Sequence, residues 1–339
     1  MLSGGACSAS LRSHNNTLTK HERAALAAKH ALTHQTRHAN DAARLMEELA
    51  VLVAGWLDAP PATHARTKAG PPPIAKGSSV TDDPDAIWAA DHLDAARIEE
   101  ADAVVAAQGD VLAPFWVKKY DREASKAWDR FYRRTSVAPY KDRHYLDAAF
   151  PGAFDAQSGV ALEVGCGCGS AAAPILRDHH GWRVVAIDFA ASAVERLRAR
   201  LLERVEVCCV DVVADALPCD AVDVVLCLFV LSSIAPGDLP GLIAKLGAAL
   251  KPGGRLLFRD YGRYDAAQLR FGKGQKVGAH RYVKGDATAC YYFDLDDVAA
   301  LFAGFDVLSL KLDCRQEANR ATRTRRRRVF VQGDFRKRG

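Results

Sequence analysis

Short apolar runs alternate with amphipathic stretches through the second half of this chain, and their periods predict a strand–helix alternation. Runs with the two-residue period or unbroken apolar character of strands cover Val160–Val164, Arg183–Ile187, Arg204–Val210, Val222–Val230 and Arg255–Asp260. Two more follow at Phe305–Lys311 and Arg328–Gln332, predicted to pair as a hairpin. Between them, the 3.6-residue spacing of apolar positions predicts helices over Ser170–Arg177, Ser192–Leu202, Leu239–Leu250 and Leu295–Phe302. Lys251-Pro252-Gly253-Gly254 reads as a helix stop and turn into the fifth strand. Strands separated by single helices build a parallel sheet with helices on both faces, so the fold class is α/β, a doubly wound sheet of seven strands.

The region before the sheet reads differently. Residues 1–40 hold Glu22 as their only acid against Arg12, Lys20, Arg23, Lys29 and Arg37. That composition fits a mitochondrial transit peptide, a disordered leader or an Ala-rich helix. A short amphipathic helix is expected over Leu45–Leu57, and the Pro, Ala, Gly and Lys of Ala59–Ser79 form a linker. The divisions are therefore a leader and linker over 1–84, a helical basic-aromatic segment over 85–150, and the sheet domain over 151–339. From Phe115 the text is FWVKKYDREASKAWDRFYRRTSVAPYKDRHYL, where helical spacing sets Trp128, Phe131 and Tyr132 on one face. That face either packs on the main domain or covers a cofactor and touches RNA.

Composition removes some classes. The 339 residues are 49% hydrophobic and 8% aromatic, ordinary for a packed core, and no uninterrupted apolar run is long enough to suggest a membrane span. The nine cysteines are odd in number and make no C-x-x-C pair, so neither a disulfide framework nor a metal site is expected, and a reducing, cytoplasmic setting is favoured over the mitochondrial alternative. The net charge of +5 is uneven: arginines crowd 320–328. This is a solvated face or a polyanion contact.

The candidate chemistry starts at Leu162-Glu163-Val164-Gly165-Cys166-Gly167-Cys168-Gly169, directly after the first strand. Glycines at alternate positions let the backbone turn and approach a ligand closely. The second strand then delivers Asp188, suited to accept from both hydroxyls of a ribose. Ser170 stands where a dinucleotide loop wants its third glycine, and the compact loop after Glu163 suits a nucleotide without a pyrophosphate, S-adenosylmethionine. By position, Phe189, Asp211, Val212 and Leu228 join the cofactor set: Asp211 for the adenine amino group, Val212 beside the ring, Leu228 and Phe229 toward the methionyl side.

Several stretches are more specific. FYRRTSVAPYKDRHYL (131–146), LEVGCGCG (162–169), VDVVLCLFVLSSIAP (222–236), LKPGGRLLFRDYGRYDAAQLRF (250–271), YVKGDATACYYF (282–293) and RRVFVQGDF (327–335) together closely resemble the methyltransferase-like tRNA N3-methylcytidine methyltransferases, over roughly residues 115–335. The resemblance implies a class I, Rossmann-like methyltransferase using S-adenosylmethionine. It implies methylation of N3 of a cytidine, typically at position 32 of the anticodon loop of a subset of tRNAs, with seryl-tRNA synthetase or another protein as a partner of some members. The chain departs from the family at Ala190-Ala191, where relatives carry Ser-Pro, and at Ala235, where a histidine often precedes the proline. Those departures bear on substrate choice.

Cytosine N3 offers an in-plane lone pair and needs no strong base; in-line positioning alone supplies ~7–11 kcal/mol of barrier reduction. The catalytic candidates are Asp260, as a carboxylate near the developing cation, with Arg259 and Tyr261 beside it; the alternative for Asp260 is a structural ion pair to an arginine. Arg143 and His144 are candidates for the methionyl carboxylate or RNA phosphates, or else form a surface ion pair. RNA contacts are assigned to Arg134, Lys141, Tyr264, Arg270, Lys273, Lys276 and Arg328. The stretch from about 261 to 292, a loop of about thirty residues, is assigned to substrate recognition because long loops in compact domains are usually functional. Two rivals stay open: an enzyme of the same fold acting on a protein or small molecule, and a non-catalytic RNA-binding subunit.

Overall fold

The computed structural model describes residues 89–90, 92–93, 95–135, 140–200, 202–319 and 324–339; the leader, linker and Leu45–Leu57 expectations lie outside them. Among the described residues one large sheet dominates. Its strands are β1 (Ala89–Ala90), β2 (Gly159–Val164), β3 (Trp182–Asp188), β4 (Val205–Cys209), β5 (Val222–Leu228), β6 (Leu250–Tyr261), β10 (Phe305–Asn319) and β11 (Thr324–Lys337), in the order β1-β10-β11-β6-β5-β2-β3-β4. β2 to β6 pair in parallel, while β11 runs antiparallel to β6 and β10 antiparallel to β11. The seven expected strands are present, with β1 adding a two-residue edge against Cys314 and Arg315.

Side-chain alternation builds the two core layers. Leu162, Val164, Val185, Ile187, Val225, Cys227, Leu256 and Phe258 face one way, onto Leu239, Leu242, Ile243, Leu246, Phe302 and Phe335. Ala161, Val184, Ala186, Val224, Leu226 and Leu257 face the other, onto Ile175, Leu176, Phe150, Phe154 and Trp182. Burial on both faces is why these strands read as continuous apolar runs. The helices that supply the layers are α5 (Ala172–Asp178), α6 (Ala191–Arg198), α7 (Leu239–Ala249) and α8 (Leu295–Leu301), preceded by α1 (Ala95–Ala107), α2 (Pro114–Arg122), α3 (Ala124–Arg134) and α4 (Leu146–Ala149). α8 starts with a capping box, Asp294 accepting from the Asp297 amide and Asp297 from that of Asp294.

Three expectations need correction. The fifth strand begins before the turn: Leu250 already pairs with Val222, and Lys251–Gly254 bulge outward before pairing resumes at Arg255. The final hairpin is much longer than its apolar runs, because Gln316, Glu317 and Ala318 pair with Arg327, Arg326 and Arg325 beyond the reach of β6. Polar residues on a two-stranded overhang carry no hydrophobic signal. Finally, 261–292 is not an irregular loop. It contains a second, antiparallel sheet of β7 (Lys276–Gly278), β8 (Arg281–Val283) and β9 (Ala289–Tyr291). One of its faces packs Val277, Val283 and Ala289 against Leu112, Val117 and Tyr120; the other packs Tyr282, Cys290 and Tyr292 against Tyr261, Ala267 and Phe271.

Candidate active site

The chain runs from β2 outward to β3 and β4, then returns past β2 to β5, so the carboxyl ends of β2 and β5 border the crevice where a doubly wound sheet binds ligands. A cavity of about 200 Å³ opens there, lined by Gly165 after β2, Ile187, Asp188 and Phe189 at the end of β3, Val210–Val213 after β4, and Phe229 and Val230 after β5. Asp121, Ala124, Trp128 and Tyr132 of α2 and α3 close one side, with Arg281 of β8 beside them. The cover is fastened to the sheet domain: Asp129 accepts the Ser192 amide at the start of α6 at 2.9 Å.

The glycine loop is held in a shape that only glycine takes without strain. Gly165, Gly167 and Gly169 have φ of +65°, +53° and +79°. A Cβ on Gly165 would stand 2.5 Å from Val230 Cγ2, and one on Gly167 would stand 2.5 Å from the Tyr132 hydroxyl. Asp188 is buried, its Oδ2 accepting from the Gly167 amide and Oδ1 from the Ala190 amide, both at 2.9 Å. Burial nevertheless pushes its pKa above the ordinary value. Each oxygen keeps acceptor capacity for a hydroxyl.

The other cofactor candidates divide. Phe189, Asp211 and Val212 line the cavity, although Asp211 Oδ1 also accepts from the Val213 amide at 3.0 Å. Glu163 and Leu228 are buried away from the wall. Glu163 Oε2 accepts the Ala172 amide at the start of α5 at 3.0 Å, beneath the loop, and burial lifts it to about 7. Its role is to hold the loop against the helix. Arg143 lies 4.7 Å over the Phe229 ring, its amide donating to Ser170 O at 2.7 Å and its Nη1 to the Tyr145 hydroxyl at 3.2 Å. Its buried Nε has no hydrogen-bond partner. His144 turns outward instead, 3.0 Å from Arg177, which corrects the expectation that it reaches the cofactor.

The catalytic candidates on β6 are mostly internal. Asp260 is fully buried and accepts from the amides of Ser232 and Tyr261, both at 2.9 Å; among the described residues no arginine pairs with it, and burial raises it to about 6. It therefore pins the turn after β5 rather than facing the cavity. Arg259, also buried, pairs with Asp313 and donates to Gln332 Oε1, both at 2.5 Å, inside the sheet. Tyr261 belongs to an aromatic group, 5.2 Å from Phe229 and 6.2 Å from Phe330. Phe229 carries φ of +62°, a conformation that costs an aromatic residue energy and that clusters at functional sites. Lys284, which sequence reasoning passed over, lies 5.6 Å over Trp128 and 5.9 Å over Tyr261.

The RNA candidates scatter. Arg134, Lys141, Arg270 and Lys273 are exposed, and Lys276 is half-buried in β7. Tyr264 donates to Asp102 at 2.7 Å and takes a bond from Arg263, tying the insertion to α1. Arg328 is committed to Asp265 at 2.8 Å and Glu317 at 3.4 Å. Both are structural bonds in place of the RNA contacts expected. Among the described residues no cluster of three or more His, Cys, Asp or Glu is placed to hold a metal ion.

The arrangement fits S-adenosylmethionine by its donor set: a ribose-facing carboxylate, apolar walls for an adenine and a loop open to close backbone approach, with the unpartnered Nε of Arg143 behind the Phe229 ring rather than on the cavity wall. Fold and site together define an S-adenosylmethionine-dependent methyltransferase, and a family model described as a methyltransferase domain matches residues 162–256. The chain is 35% identical over 239 residues to the tRNA N(3)-cytidine methyltransferase METTL6 of Homo sapiens, covering 66% of this chain and 84% of that protein. It is 32% identical over 310 residues to METTL2 of Xenopus tropicalis, covering 76% and 92%, and 35% identical over 238 residues to Mettl2 of Drosophila melanogaster, covering 65% and 73%. This chain belongs to the family of tRNA N(3)-cytidine methyltransferases.

Proposed function

We propose that this protein methylates N3 of a cytidine in tRNA, with position 32 of the anticodon loop as the target. The observation that carries the reading is one cavity whose wall joins the glycine loop and Asp188 to residues of the helical cover and of the insertion. In this reading the cover and the insertion bring the RNA to the crevice that holds the cofactor. When bound, the cofactor supplies an electrophilic methyl on a sulfonium; cytosine N3 is already a free lone pair, so no side chain must remove a proton first.

The protein's part is geometry and electrostatics. Asp188 orients the sugar. Asp260, through Ser232, holds the turn that carries Phe229, and Phe229, Tyr261 and Trp128 present ring faces on which a base lifted from its stack is received. Glu163 secures the loop from below. We assign phosphate contacts to the exposed Arg134, Lys141, Arg270 and Lys273 and to the half-buried Lys276, which are spread over the surface outside the cavity wall. Seryl-tRNA synthetase is the partner we infer, and the cytoplasm the compartment, with the mitochondrion as the alternative; turnover with and without added synthetase, and cell fractionation, test them.

Purified protein, S-adenosylmethionine and unmodified tRNA, followed by nucleoside mass spectrometry and mapping of the modified position, test the whole reading. The expected product is 3-methylcytidine in the anticodon loop. Methylation of protein or small molecules with none in tRNA, or no cofactor binding by calorimetry, overturns it.

A further inference from the structure

Arg281 is the one cavity-lining residue contributed by the insertion among the described residues, and nothing above uses it. Its side chain is only 5% exposed, and the alternation of β8 turns it to the same side as Val283, toward α2. There it meets Asp121, in the last turn of α2, at 2.6 Å. The contact joins opposite charges without aligned hydrogen bonds: both Arg281 Nε and Asp121 Oδ1 lack a hydrogen-bond partner. A guanidinium has five donors in a planar fork, and burying it against a single poorly aligned carboxylate leaves its Nε donor unspent. Unsatisfied buried donors are rare enough in native proteins to call for a ligand or a strain role.

We propose that Arg281 is a phosphate-binding residue for the RNA substrate, and that Asp121 occupies its guanidinium until the phosphate arrives. This rests on the reading of the protein as a tRNA methyltransferase. The fork of Arg281 matches two phosphate oxygens, as a carboxylate's two oxygens do, so RNA displaces Asp121 from Arg281 without moving the strand that carries it. The displacement also releases the charge contact between α2 and β8, while the packing of Val283 on Val117 and Tyr120 keeps the two elements together. The cofactor's carboxylate is the other anion available. Arg143, beside the glycine loop, 4.7 Å over the cavity-lining Phe229 ring and bearing its own unpartnered Nε, is our candidate for that group, although it does not itself line the cavity. Arg281 is therefore assigned to RNA.

The test compares wild type, Arg281→Gln, Arg281→Lys and Asp121→Asn for tRNA affinity across a salt series and for cofactor affinity without RNA. Arg281→Gln is expected to weaken tRNA binding about tenfold and to flatten the log–log salt slope by about 0.7–0.9. Arg281→Lys keeps the slope and loses part of the affinity. Asp121→Asn binds tRNA at least as tightly as wild type, with an unchanged slope. If Asp121→Asn and Arg281→Gln weaken tRNA binding equally and leave the slope alone, the pair is a structural strut and the proposal is wrong. Loss of cofactor affinity in Arg281→Gln without RNA reassigns the site to the cofactor and also overturns it. Should Arg281→Gln fail to fold, Arg281→Lys and Asp121→Asn still carry opposite expectations. A wild type that methylates tRNA while failing these outcomes sinks this proposal alone; one that methylates no tRNA sinks the reading beneath it.

Discussion

The two sides of the cavity are built by different physics. On the sheet side, Gly165, Asp188 and Phe229 sit where parallel strands end, and each is placed by backbone hydrogen bonds and a core buried on both faces. On the cover and insertion side, placement depends on pairs that join segments far apart in the chain: Arg281 with Asp121, Tyr264 with Asp102, Arg328 with Asp265. The first kind of site is rigid because the fold makes it so. The second adds ion pairs and side-chain hydrogen bonds to the apolar packing of the insertion on α2, and the ion pairs are contacts that a polyanion can rearrange. The lesson concerns labels: an arginine on the second side is a structural tie or a ligand contact according to whether its donors are already satisfied.

The largest effect expected on ligand binding is on the sheet side. Asp188→Ala removes a carboxylate that organises two amides and, in our reading, the ribose, and should weaken cofactor binding about 100-fold by calorimetry. Near-normal affinity would break the assignment of the crevice. Next, Arg328→Ala strands the buried Asp265 carboxylate and should cost about 3–5 kcal/mol in denaturant unfolding, while the folded fraction binds tRNA as before. A salt-slope change without loss of stability would restore Arg328 to the RNA surface.

A pH series separates the layers further. Glu163 is raised to about 7 by burial, against the opposing pull of Arg143 and the Ala172 amide, from an ordinary value of 4.5. The folded state thus keeps a proton that the unfolded chain releases, so native stability falls as pH climbs from about 4.5 to about 7. Glu163→Gln cannot ionise and escapes that loss; relative to wild type it should gain on the order of 2–3 kcal/mol between about pH 5 and pH 8. A flat difference would show that Glu163 is solvated and the loop looser than described. The smallest effect belongs to the exposed basic residues: Arg134→Ala and Lys141→Ala should each flatten the tRNA salt slope by about 0.7–0.9 with the thermal midpoint unchanged.

Much of the sheet side was legible in advance. The strand runs, the helix between each pair and the pairing of the last two strands were readable because apolar periodicity reports burial directly. That Gly165, Asp188 and Asp211 come to one cavity was legible because chain order in a doubly wound sheet dictates which loops meet. Leu228 and Glu163 lie off the cavity wall because strand alternation points them into the core, and a linear motif does not show which side of a loop is wet. The small sheet of the insertion escaped notice because its strands are three residues long, below the length at which a two-residue period stands out.

Local sequence alone determined the parallel sheet, the compact glycine loop and the acid after β3, since each follows from neighbours within a turn or a strand. Only the tertiary structure decided which charges are free. Whether Arg259, Arg281, Arg328 or Asp260 meets a partner depends on residues tens of positions away, and a buried ion pair leaves no periodic trace in the chain, because its energy comes from desolvation and distance rather than from any local pattern.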